Sequence, residues 1–137
     1  MRRYQDLEVW QRAMDLVVTT YQLTATYPHD ERYGLVSQTR RAAVSIPCNI
    51  AEGQGRSKAG EFLNQLSVAR GSLQELETLA IVAKRLAYAT EKQLDALLEG
   101  SERISRMLTG LRKAIERAEH PPAGQAAKPR RRLKGQE

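Results

Sequence analysis

The sequence predicts an all-α protein, an antiparallel up-down-up-down four-helix bundle, on three observations. Apolar residues recur at alternating three- and four-residue spacing in four successive segments, as on the buried face of a helix. The breaks between segments are short, so consecutive helices must be antiparallel neighbours. Aromatic residues make up only 5% of the chain, and glycine and proline together only 14 of its 137 residues. That leaves too few strand formers and turn residues for a β-sandwich.

The first helix is expected from about Tyr4 to Thr26, with Leu7, Trp10, Met14, Val17, Tyr21 and Thr24 as its core stripe and Ala13 and Leu16 beside them. Tyr27-Pro28 ends it, because the residue before a proline is pushed out of the α region. Asp30 and Glu31 then stand where the start of a helix favours negative charge. The second helix carries Leu35, Thr39, Ala42, Ile46, Ile50 and Gly53 toward the core. Pro47 falls within this pattern, removing an amide donor and crowding the preceding turn, so a kink near Pro47 is expected and a break into two helices is the alternative.

Ser57 is the expected N-cap of the third helix, which runs to about Tyr88 with Phe62, Leu66, Ala69, Leu73, Leu76, Ala80, Ala83 and Ala87 in one register. Thr90 and Gln93 are spaced as a capping box for the fourth helix. Its stripe is Leu94, Leu97, Ser101, Ile104, Leu108, Leu111, Ile115 and Ala118, and Pro121-Pro122 stops it. Helices of roughly 23 to 31 residues at ~1.5 Å per residue give bundle members of similar length.

The domain plan follows from charge and composition. Residues 1–119 form the bundle, and residues 120–137 form a basic tail holding Lys128, Arg130, Arg131, Arg132 and Lys134 against Glu137 alone, a net +4 of the chain's +6. With its prolines and glycines and few apolar side chains, the tail is expected to be disordered. The start of helix one, the turn between helices two and three and the end of helix four share one pole. Arg2, Arg3, Arg56, Lys58, Arg112, Lys113 and Arg117 gather there among Asp6, Glu8, Glu52, Glu61, Glu116 and Glu119. These charges nearly cancel, so the tail makes that pole basic. Arg2, Arg3, Lys58, Arg112, Lys113, Arg117 and the tail's five cations are the nucleic-acid candidates, since Lys and Arg release counterions from phosphates.

Composition also excludes function classes. Cys48 is the only cysteine and His29 and His120 the only histidines, so soft metal ligands and imidazole bases are nearly absent. No cofactor is expected. A single cysteine permits no internal disulfide, the charged opening MRRYQDLEVW does not resemble a secretion signal, and no run approaches the ~20 apolar residues of a membrane span. A cytoplasmic protein with no membrane partner is the expectation.

The second helix bears another stripe one residue before the apolar one, and it is wholly polar: Gln38, Arg41, Ser45, Asn49, Glu52 and Arg56. Three chemical readings of it each lack a needed part. Glu52 as a base with Arg41 as an anion clamp lacks a second carboxylate or histidine to complete a mechanism. Glu52 paired across helices with Glu75 or Glu77 lacks the Glu-x-x-His pairs of carboxylate-bridged metal bundles. Gly53-Gln54-Gly55-Arg56 lacks the lysine of a phosphate loop and reads as a helix end. The remaining reading is a structural or interface network joining this helix to the third helix, through residues such as Glu75 and Glu77, or to another subunit.

The run QTRRAAVSIPCNIAEGQGR from Gln38 to Arg56, followed by Glu61-Phe62 and by Ala69 to Thr78, closely resembles the four-helix-bundle proteins encoded in 23S ribosomal RNA intervening sequences. Leu7-Glu8-Val9-Trp10, Tyr27-Pro28, Glu31, Tyr33, Gly34 and Leu35 match it too, and the resemblance spans about Leu7 to Leu111. Cys48 departs from it, standing where a small serine or alanine is usual, and the tail lies outside it. The resemblance implies a homopentamer around a central channel and no enzymatic activity. It further implies kinship with the accessory variability protein of diversity-generating retroelements, a basic pentamer that binds a reverse transcriptase and structured RNA. The functional expectation is therefore an oligomeric protein that binds RNA or a ribonucleoprotein partner. A protein-protein scaffold with an incidental tail is the alternative.

Overall fold

The computed structural model describes residues 3–119; Arg2 and the tail, with Lys128, Arg130, Arg131, Arg132 and Lys134, lie outside the described residues. Four helices follow in order: α1 (Glu8–Thr24), α2 (Leu35–Gln54), α3 (Ala59–Arg85) and α4 (Glu91–Glu119), with 3₁₀ turns at Tyr4–Asp6 and His29–Glu31. Each packs on its sequence neighbours and α1 also packs on α4, whereas the backbones of α2 and α4, like those of α1 and α3, stay more than 8 Å apart between Cα atoms. The bundle is thus a square with α2 diagonal to α4. Its tightest seam is α2 on α3.

The helices are less uniform than expected. α1 and α2 have 17 and 20 residues, and α3 and α4 have 27 and 29. The expected first helix is divided because Leu7 is extended, leaving a separate 3₁₀ turn before α1. At the other pole, the long α1–α2 connection folds against the α3–α4 turn, where the Tyr27 and Tyr88 ring centroids lie 5.9 Å apart.

Ile46, Ile50, Leu66, Leu73, Leu76, Leu97, Ile104 and Leu108 form the fully buried centre. The α2, α3 and α4 stripes lie inward largely as expected. The α1 stripe requires correction: Val9, Ala13, Leu16, Thr20 and Leu23 face the core, while Met14 and Tyr21 are exposed. A threonine can occupy that face because its hydroxyl bonds inside the helix. Thr20 Oγ1 donates to the Leu16 carbonyl at 2.7 Å, and Thr24 and Thr39 donate four residues back in the same way.

α2 is one helix through Pro47, so a break into two helices does not occur. The Glu31 carboxylate accepts a hydrogen bond from the Leu35 amide at 2.9 Å, satisfying a donor in the first turn of α2. At the start of α3 the cap is Lys58, without a side-chain hydrogen bond, and Ser57 does not serve. α3 also stops earlier than expected. Ala87 turns left-handed at φ 63°, the Tyr88 amide bonds back to the Ala83 carbonyl and the Ala87 amide to that of Lys84, a Schellman ending. The Thr90–Gln93 box forms in both directions, at 2.9 and 3.1 Å.

Candidate nucleic-acid interface

The polar stripe of α2 divides into two groups. Ser45 and Asn49 face the α3 seam: the Ser45 and Ser72 hydroxyls lie 2.8 Å apart, and Asn49 Nδ2 donates to the Ser45 carbonyl at 2.7 Å and to its hydroxyl at 2.9 Å. Gln38, Arg41, Glu52 and Arg56 are exposed. Glu52 and Arg56 pair at 2.9 Å with each other, one turn apart and both about half exposed. Glu75 is exposed on α3, and Glu77 turns to α4, where it accepts a 2.6 Å hydrogen bond from Ser101. The residues grouped by the sequence pattern therefore do not form one network. A three-and-four pattern covers a broad arc of helix surface, and the α3 seam takes only one edge of it.

At the basic pole Arg56 and Arg112 are engaged, whereas Arg3, Lys58, Lys113 and Arg117 join no ion pair among the described residues. Arg112 Nη2 donates to the Leu63 carbonyl at 2.9 Å and to Ser67 Oγ, and its other terminal nitrogen lies 3.8 Å from Glu116. Lys113 and Arg117 flank a shallow depression together with Leu63 and that same Glu116. Arg3 and Lys58 are exposed.

A different cationic cluster lies toward the opposite pole, where the end of α1 meets the beginning of α2. A cleft of about 610 Å³ is lined there by Tyr21 of α1, by Arg32 and Tyr33 before α2, and by Arg40 and Arg41 on α2. No carboxylate lines it, and none of its three arginines joins an ion pair among the described residues. Arg40 is fixed: its Nε donates to Thr24 Oγ1 at 2.9 Å and its guanidinium lies 4.4 Å from the Tyr21 ring centroid. The Arg32 guanidinium lies 5.5 Å from the Tyr33 ring, and Tyr33 is 87% exposed.

The sequence pattern does not single out Arg32, Arg40, Tyr21 and Tyr33 as a site. Arg40 and Tyr21 lie 19 residues apart on different helices, so only the helix pairing joins them. The Arg40-Arg41 doublet is the one visible signal. Arg70 escapes the pattern as well; it spans the α3–α4 seam to the Ser105 hydroxyl at 2.9 Å and the Thr109 hydroxyl at 2.6 Å.

Other chemistry is sparse. Among the described residues, no three histidine, cysteine, aspartate or glutamate side chains come together as a metal-binding group, and Cys48 is free and exposed. No described helix is long and apolar enough to cross a membrane. Exposed large apolar side chains include Met14, Val18 and Tyr21 on α1, Val44 on α2, and Val68, Ile81 and Val82 on α3, but none on α4.

No curated protein sequence matches this chain. A crystal structure from Bacteroides thetaiotaomicron, of a protein with unknown function from the S23 ribosomal protein family, shares the fold with a TM-score of 0.71. The two are 23% identical, and the match covers 77% of this chain and 95% of that one. The family model of the 23S rRNA-intervening sequence protein matches residues 5–110, and with that span of a four-helix bundle the chain belongs to this family.

Proposed function

We propose that the protein is a cytoplasmic, non-enzymatic homo-oligomer, a pentamer, that binds structured RNA or a ribonucleoprotein partner through its assembled basic surface. The observation that carries this reading is the cleft with Arg32, Arg40 and Arg41 and no carboxylate on its wall. Cations without paired acids keep their field available to an anionic partner, as the mixed charges of the opposite pole do not. The family's name, that of intervening sequences in 23S rRNA, supports an RNA context.

Assembly is supported by the exposed apolar residues on α1 and α3, which flank α2 while α4 presents none. Met14 and Val18 on α1 and Val68, Ile81 and Val82 on α3 belong to different surfaces, so joining one copy's α1 to the next copy's α3 is a heterologous contact, which gives a ring where its rotation closes. In such a ring α2 and α4 lie on opposite sides of the contact. Five copies at +6 each carry +30, which deepens the field felt by RNA. An accessory role beside a reverse transcriptase is the finer form of this reading and rests on the resemblance of the Gln38–Arg56 run.

The same exposed apolar residues favour the rival reading, a protein-protein scaffold without an RNA role. Light scattering with and without structured RNA separates the two. A large particle that gains mass with RNA is expected; a 15.4 kDa particle or an assembly indifferent to RNA contradicts the proposal.

A further inference from the structure

Resting on that RNA-binding reading, we infer that the α1–α2 cleft holds an unpaired nucleotide of a single-stranded RNA segment, its base stacked on Tyr33 and its phosphate met by Arg41. The chemistry of the cleft selects the ligand class. Three guanidiniums and no carboxylate call for an anion, and two tyrosines on the same wall call for a flat, unsaturated ring. A nucleotide combines the two, and stacking needs a base freed from its duplex partner.

Each residue has a distinct part. Arg40, stacked on Tyr21 and hydrogen-bonded to Thr24, is an immobilised cation that loses little freedom on binding. Arg41 is exposed and unpaired among the described residues, free to reach a phosphate. Tyr33 has the Arg32 guanidinium at one side of its ring and is otherwise open to solvent, which leaves a ring face accessible for stacking. The start of α2 is not the anion site, because the Leu35 amide is already taken by the Glu31 carboxylate. The cleft is open rather than enclosing, which suits a strand passing over it.

The test is fluorescence anisotropy on the full-length protein, with a labelled unstructured 12-nucleotide RNA and a blunt duplex of the same length, while light scattering follows particle mass. The single strand is expected to bind more tightly than the duplex. Tyr33→Ala should weaken single-strand binding about tenfold, the loss of one stacked base, while Tyr33→Trp retains it. Arg41→Ala should weaken it too and reduce the salt slope by ~0.7, one phosphate contact.

RNA binding with either alanine variant at wild-type affinity, or with duplex preferred, overturns the cleft assignment and leaves the broader RNA reading standing. No binding to any RNA overturns both. Adenosine monophosphate competing as well as the 12-mer overturns a strand as the occupant. A change of particle mass in Tyr33→Ala at unaltered RNA affinity makes the cleft a subunit contact and also overturns the inference.

Discussion

Gly53 lies so close to Phe62 that a methyl group on it would stand 2.8 Å from the ring's Cδ1 and 3.0 Å from Gln65 Cβ. Here α2 packs closely against α3. Alanine is the better helix former by ~1 kcal/mol, but overpacking a tight seam costs ~1–3 kcal/mol, and here the neighbours are a packed ring and a Cβ. Gly53→Ala is therefore expected to lower stability in urea unfolding by up to about 2 kcal/mol. Gly71, on the exposed side of α3, is the control, since a methyl group added there would meet nothing within 4 Å. Gly71→Ala should gain up to ~1 kcal/mol from the same propensity difference. Equal effects of the two changes would contradict the close approach.

Ala87 supplies a second prediction. It adopts φ 63° to close the Schellman ending of α3, a conformation in which an L side chain costs ~1–2 kcal/mol. The residue is exposed, so its methyl contributes little packing. Ala87→Gly should raise the unfolding free energy by ~1 kcal/mol, measured by urea denaturation, because glycine removes the strain and loses only part of that gain to chain entropy.

The seam positions show how far the sequence can be read. The capping box, the α3 and α4 core stripes and the helix count follow from local spacing, which physics dictates within a few residues. The α1 face differs from its expected stripe because Thr20 looks polar in a sequence, yet its hydroxyl is satisfied within the helix and its methyl packs like an apolar group. The end of α3 falls short of its expected length because nothing local marks an alanine for the left-handed region. The cleft is illegible for a different reason. Its Arg40–Tyr21 stack depends on how α2 is seated on α1, a tertiary relationship with no sequence period.

Tyr27 gives a pH-dependent prediction. Its ring is 7% exposed and its hydroxyl has no hydrogen-bond partner among the described residues. Burial pushes the phenol's pKa above its usual value. The unfolded chain therefore loses this proton first, so the contribution to stability is complete below about pH 10 and falls as the pH rises beyond it. Tyr27→Phe should gain about 1 kcal/mol at neutral pH, by removing an unsatisfied polar atom, and should lose less stability than the wild type between pH 9 and about 11. Chemical denaturation at several pH values checks both statements.

The Glu52–Arg56 pair is expected to matter little to folding. Both groups are about half exposed, and an exposed pair one helical turn apart contributes ~0.3–0.5 kcal/mol. Glu52→Ala should shift the urea midpoint barely, whereas Ser72→Ala, which strips the Ser45 hydroxyl of its partner across the α2–α3 seam, should cost ~1 kcal/mol. The reverse order would mean that the charged part of the stripe is buried in an assembly.

Electrostatic RNA binding by an assembled basic surface is tested most directly by filter-binding titrations of structured RNA at three salt concentrations. The proteins compared are the full chain, the chain lacking Pro121 to Glu137, and the full chain carrying Arg32→Ala and Arg41→Ala. Binding by the full chain is expected to weaken steeply with salt. Both variants should bind more weakly and with a flatter slope, by ~0.7–0.9 for each phosphate contact removed. Affinity no better than the ~10⁻⁴ to 10⁻⁶ M of non-specific contacts at about 150 mM salt, unchanged by either alteration, leaves the scaffold reading in its place.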